Sequence, residues 1–89
     1  MEIYYSTVDG VVLTFSPIRK NGIFDEIDVR FERPNNAGSF DFAEGKLPNN
    51  MFYKTYGFSE DELLDLEKYL KDNAFLIWEI AREQPKAVV

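Results

Sequence analysis

The stretch Phe58-Ser59-Glu60-Asp61-Glu62-Leu63 constrains the fold of this chain more than any other. It carries every part of a helix start. The Ser59 hydroxyl is placed to accept from the backbone N–H of Glu62, and the Glu62 carboxylate to reach back to the N–H of Ser59, a reciprocal capping box. Phe58 before the cap and Leu63 in the first helical turns form a hydrophobic staple. Glu60, Asp61 and Glu62 suit the positive end of the helix dipole. The pattern predicts a helix from Glu60 to about Glu83, with Leu63, Leu66, Leu70, Ala74, Ile77 and Ala81 on one stripe. Glu67 and Lys71 are spaced as an i,i+4 pair. Arg82 and Lys86 lie at the negative end of the dipole, and Pro85 marks the stop.

This helix has two halves of different character. From Leu63 to Asp72 it is amphipathic. From Ala74 to Ala81 it is apolar almost all round, with only Glu79 interrupting. A helix that is apolar on every side is normally buried on every side, yet a single small sheet covers one side only. Phe75, Leu76 and Ile80 are therefore candidates for contact with a second chain, the alternative being complete wrapping by the sheet. Asp72-Asn73 are poor helix formers and good caps, so the segment reads as one helix or as two broken there.

Upstream the rhythm changes to that of strands. Residues 2–8 are aromatic and β-branched, and Asp9-Gly10 is a favoured hairpin turn. Val11 to Phe15 returns with Val11, Leu13 and Phe15 on one face, and Pro17 ends it. Arg19-Lys20-Asn21-Gly22 reads as a second turn. In 26–32, Ile27, Val29 and Phe31 alternate with Glu26, Asp28, Arg30 and Glu32, the mark of a half-buried antiparallel strand. After the loop Pro34-Asn35-Asn36-Ala37-Gly38, residues 39–43 alternate again, with Phe40 and Phe42 assigned to the core face. Glu44-Gly45 and Leu47-Pro48-Asn49-Asn50 break the pattern. Met51 to Gly57 fits either a fifth short strand or an aromatic connector.

These elements predict a single α+β domain over 1–89: an antiparallel sheet of four or five strands built from hairpins, covered on one face by the C-terminal helix. The expected core is Ile3 or Tyr4, Leu13, Phe15, Ile27, Val29, Phe31, Phe40, Phe42, Leu63, Leu66, Leu70, Ala74, Ile77, Trp78 and Ala81. Aromatics make up 16% of the chain, and in so short a chain large rings fill a small core efficiently. Tyr4 and Tyr5 cannot both face that core from one regular strand. Tyr4, Tyr5, Tyr53 and Tyr56 are therefore candidate partner contacts, the plainer alternative being sheet cover.

The missing residue types exclude several chemistries. The chain has no histidine and no cysteine. That removes disulfides, thiol chemistry, the usual zinc ligands and Ser-His-Asp machinery. The glycines are scattered at turns and form no phosphate loop. No cofactor is expected. Asp25, Glu26 and Asp28, with Asp41 and Glu44 on the neighbouring strand, form the one oxygen-rich cluster that a hard cation would favour. The plainer reading is a wet sheet face paired with Arg30 or Arg33. Sixteen acids against ten bases give a net charge of -6, which argues against nucleic acid as a partner and is compatible with a basic protein. The longest apolar runs fall far short of the roughly 20 residues that span a bilayer. The start Met1-Glu2, with no basic region leading into an apolar run, gives a cytoplasmic location as the expectation.

From Glu44 onward the chain resembles a small bacterial domain family of unknown function, often encoded beside toxin–antitoxin genes. The similar residues are Glu44-Gly45-Lys46-Leu47-Pro48, then an acidic amphipathic helix, then Ile77-Trp78-Glu79-Ile80-Ala81-Arg82-Glu83. The family usually carries a strand with a Pro-Pro-His-x-His pattern, an element this histidine-free chain lacks. The resemblance implies a strands-then-helix domain with a partner protein and supplies no catalytic residue. The expected function is a non-catalytic interaction module of the accessory, antitoxin or immunity type, binding a basic partner or a second copy of itself. A carboxylate-based or metal-assisted enzyme built on Asp25, Glu26, Asp28 and Asp41 is the first alternative. An acidic mimic of nucleic acid is the second.

Overall fold

The computed structural model describes residues 2–84. The expected stop at Pro85 and the dipole role of Lys86 lie outside the described residues. Six strands precede one helix: β1 Ile3–Val8, β2 Val11–Phe15, β3 Arg19–Asn21, β4 Phe24–Pro34, β5 Phe40–Leu47, β6 Met51–Tyr56 and α1 Glu60–Glu83. All pairings are antiparallel and the sheet order is β1-β2-β4-β5-β6, with the short β3 pairing the first residues of β4. The chain is an α+β meander with its helix last. Residues 51–56, ambiguous in sequence, are a strand.

Local chemistry explains the connections. Asp9 and Gly10 both take positive φ, 52° and 78°, as a type I′ hairpin turn requires. Arg19-Lys20-Asn21 is a strand and not the turn its composition suggests. The turn falls at Gly22-Ile23, and Lys20 pairs with Asp25 across the ladder at 2.7 Å. Between β2 and β3, Pro17 has no N–H to give. Ser16 substitutes for it: its Oγ accepts from Asp28 N at 2.9 Å and its N–H donates to Asp28 O at 2.8 Å. At the β4–β5 loop the Asn35 side chain accepts from the N–H groups of Ala37 and Ser39, the local bonding that makes Asn a turn residue.

The sheet has one dry face and one open face. Leu13, Phe15, Ile27, Val29, Phe31, Ala43 and Leu47 point to the dry face and form one cluster with Leu70, Ile77 and Ala81 of α1. Leu63, Leu66, Ala74 and Trp78 pack at its margin. The parity of β5 departs from the sequence expectation. Phe40 is 48% exposed, and Phe42 lies opposite Glu32 and stacks on Tyr56. Ala43, Gly45 and Leu47 take the inner positions instead. Glu44-Gly45 is thus strand interior, not a break. A β-bulge falls at this point of the β5–β6 ladder, and it brings the β6 backbone over Gly45. A Cβ there would lie 2.6 Å from Met51 O, so only glycine fits.

β1 carries a second bulge. Ile3 pairs with Phe15 and Tyr4 with Thr14, but Ser6 pairs with Leu13, so Tyr5 is the extra residue. Tyr5 shares the dry face with Ile3 by the period of two, its ring meeting Phe15 edge-on, and the bulge brings Ser6 to that face as well, opposite Leu13. Tyr4 is left outward at 62% exposure.

The helix start forms as its sequence dictates. Ser59 Oγ accepts from Glu62 N at 3.1 Å, and Glu62 Oε1 accepts from Ser59 N at 2.9 Å. The helix runs unbroken through Asp72-Asn73. Their polar groups are absorbed by side-chain bonds: Lys68 Nζ donates to Asp72 at 3.1 Å, Asn73 Nδ2 donates to Tyr69 O, and Asn73 Oδ1 accepts from the Tyr5 hydroxyl at 2.6 Å. Lys68–Asp72 is the i,i+4 ion pair of this segment, in place of the expected Glu67–Lys71.

Candidate functional site

The four carboxylates proposed for catalysis do not converge. Asp25 faces Lys20, and Glu26 lies within 3.9 Å of Arg19 and 3.8 Å of Lys46. Asp28 accepts from both Arg19 Nε and Nη2. Asp41 is elsewhere: it pairs in register with Arg33, whereas Asp28 pairs with Lys46. The two stations are five residues apart along β4, about 17 Å at strand rise. Each of the four acids thus lies against a cation, with Arg19 shared by Glu26 and Asp28. Among the described residues no group of three or more metal-binding side chains comes together. The same interleaving of cations interrupts any row of negative charge of the kind a nucleic-acid mimic presents.

Arg33 pairs with a carboxylate of the neighbouring strand, as expected, and also reaches the helix, a role the sequence did not expose. It holds Asp41 through Nε at 2.9 Å and Glu62 through Nη1 at 2.6 Å, and its guanidinium lies 4.3 Å from the centroid of the Phe58 ring. It ties the end of β4 to the helix cap. Bonds from Arg33 and from the Ser59 N–H hold the Glu62 carboxyl down at about 2, and the same carboxylates push the Arg33 guanidinium up. Such Arg–carboxylate contacts are charge-assisted and directional. Here they fasten the fold.

The open face carries the tyrosines in a charged setting. Arg30 bonds Glu44 at 2.7 Å and Glu32 at 3.3 Å while lying over the Phe42 ring at 4.5 Å. Burial pulls the Arg30 guanidinium down, but its two carboxylate bonds outweigh this and the net shift is upward. Tyr53 and Tyr56 are each 62% exposed. Burial, then the charges of Glu44 and Asp28, raise the Tyr53 phenol. Tyr5 is also raised, by burial first and then by Tyr69. Its hydroxyl is engaged by Asn73 on the dry side, away from Tyr4, Tyr53 and Tyr56.

The outer side of α1 presents the other candidates. Phe75 is 70% and Leu76 53% exposed, whereas Ile80 packs against the core. At 100° per residue Phe75 lies nearly opposite Ile77, which has no exposure. Leu64, 63% exposed, lies three turns before Phe75 on nearly the same line. Lys68 and Lys71 fall on the line between the two, so Leu64 is a separate apolar spot on the outer side. Its i, i+11 spacing was the available signal, hidden because Leu64 sits beside the core residue Leu63. The predicted contact set thus divides: Phe75, Leu76, Tyr4, Tyr53 and Tyr56 are available to a partner, and Tyr5 and Ile80 are used by the fold.

Compared with protein-family models, curated proteins and solved structures, the chain matches none of them. No helix among the described residues is long and apolar enough to cross a membrane.

Proposed function

We propose that this domain is a non-catalytic protein-interaction module, acting in the cytoplasm as an accessory, antitoxin- or immunity-type protein that binds a basic partner. The observation that carries the reading is the adjacent pair Phe75–Leu76, two large apolar side chains that stand in solvent on the outer side of the helix while the core beneath it is complete without them. Apolar groups in solvent on a rigid helix are what a partner's groove takes up. The acid excess favours a basic partner and faster encounter with it. The antitoxin or immunity character rests on the resemblance of residues 44–48 and 77–83.

The test is affinity capture of the tagged protein from its own cells, with the variant Phe75→Asp in parallel. One stoichiometric basic protein, captured by the wild type and lost with a folded Phe75→Asp, is the expected result. Recovery of the bait alone overturns the reading. Sedimentation of the purified chain separates the remaining case: a dimer lost in Phe75→Asp assigns the pair to a second copy instead.

A further inference from the structure

A groove of about 250 Å³ opens between the tip of the first hairpin and the first half of α1. Its floor is apolar, built from Val11, Phe31, Phe58 and Leu66. Asp9 reaches its rim from the hairpin turn, and Asp65 from the helix. No cation among the described residues lies within ion-pair distance of either. The third carboxylate of the lining, Glu62, is paired with the single base, Arg33, which it shares with Asp41, so no positive charge is left over for the rim. The groove therefore has an apolar floor and an uncompensated negative rim.

Its lining also holds a pair of hydroxyls. Ser6 Oγ and Tyr69 OH lie 2.8 Å apart and share one hydrogen bond. Two hydroxyls carry two hydrogens, and that bond uses one. The other has no acceptor among the described residues and is open to a ligand.

We infer that this groove is where the partner inserts a lysine side chain from an extended basic segment. A lysine has an apolar stem long enough to lie on the floor and a compact ammonium with three donors for carboxylates that arrive from two sides. The backbone carbonyl beside such a residue supplies an acceptor for the spare hydroxyl. The argument rests on the interaction-module reading and deepens it by assigning the chemistry of the partner's anchor, at a place separate from Phe75 and Leu76.

The experiment is an NMR titration of the purified protein with the capped tripeptide Gly-Lys-Gly and with the same peptide carrying norleucine in place of lysine. Saturable shifts at the amides of Val8, Asp9, Leu66 and Tyr69 are expected. Norleucine should bind more weakly by about threefold or more, and Asp65→Asn or Asp9→Asn should weaken the lysine peptide by about threefold each. Asparagine keeps the left-handed backbone that Asp9 adopts, and both sites are exposed, so the spectra of the variants should otherwise match wild type. No response, a response confined to the open sheet face, or equal binding of norleucine overturns the inference. Partner capture without a tripeptide response removes the groove alone. A tripeptide response without any captured partner removes the module reading and leaves the groove's chemistry standing.

Discussion

The two faces of this sheet are made from the same strands and differ in everything else. In β4, Ile27, Val29 and Phe31 are at most 2% exposed, while Asp28, Arg30 and Glu32 between them look outward. The period of two separates these sets, and a slip of one residue would exchange them. The dry face is held by apolar area and the helix. The open face is held by ion pairs and cation–π contacts among Arg30, Glu44 and Phe42. Stability should therefore be concentrated on one face, leaving the other and the outer side of the helix free to change.

The largest effect that sharpens this contrast comes from neighbouring residues of α1. Ile77→Ala removes a fully buried side chain and should cost about 2–5 kcal/mol. Leu76→Ala, one residue away on the outer side, should stay within about 0.5 kcal/mol. Denaturant unfolding followed by Trp78 fluorescence measures both. A large loss from Leu76→Ala in the purified chain would show the outer side to be covered, and the contrast would collapse.

The next effect is at Gly45, where the dry face approaches a backbone. Gly45→Ala places a methyl 2.6 Å from Met51 O and 3.1 Å from the Phe52 ring. A carbonyl in a paired strand cannot move aside as a flexible side chain can, so the substitution should cost about 1–3 kcal/mol. A neutral outcome in the same unfolding assay would mean that the β5–β6 bulge relaxes freely.

Gly45 also shows where sequence reading stopped. Capping at Ser59–Glu62, the Asp9-Gly10 turn and the alternation of β4 were legible because each is a local rule stated by adjacent residues. The parity of β5 was not. Phe40 and Phe42 have the greater hydrophobicity, yet the inner positions belong to Ala43, Gly45 and Leu47, because the register sets these opposite Phe31, Val29 and Ile27 of β4, and at Gly45 the close passage of β6 leaves no room for a side chain. The bulges at Tyr5 and at the Glu44–Gly45 step depend on pairing between strands, which no local pattern states. For the candidate site, Phe75 and Leu76 were legible as apolar surplus. The outward orientation of Leu64 and the triple use of Arg33 needed the third dimension.

A smaller effect lies at the edge between the two faces, where Arg33 meets the helix cap. The Glu62 carboxyl is held at about 2 against an ordinary value of 4.5. A folded-state value below the unfolded one contributes stability that is present above about pH 4.5 and lost as the pH falls toward 2. Wild type should therefore lose stability across that window faster than Glu62→Gln, which has no carboxyl there to titrate. Parallel acid limbs in the two proteins, measured by denaturant midpoint against pH, would remove Glu62 as the source.

The smallest effect belongs to the open face itself. Arg30 and Glu44 are 28% and 27% exposed, partly screened by water, and their side chains lie 2.7 Å apart. A double-mutant cycle with Arg30→Gln and Glu44→Gln should give a coupling of about 0.2–1 kcal/mol. That coupling should fall in molar salt, where the screening length is about 3 Å. A coupling several times larger and insensitive to salt would mean that the pair is desolvated in the protein as it exists in solution. The open face would then be occupied, and the division of labour between the two faces would have to be redrawn around whatever covers Arg30.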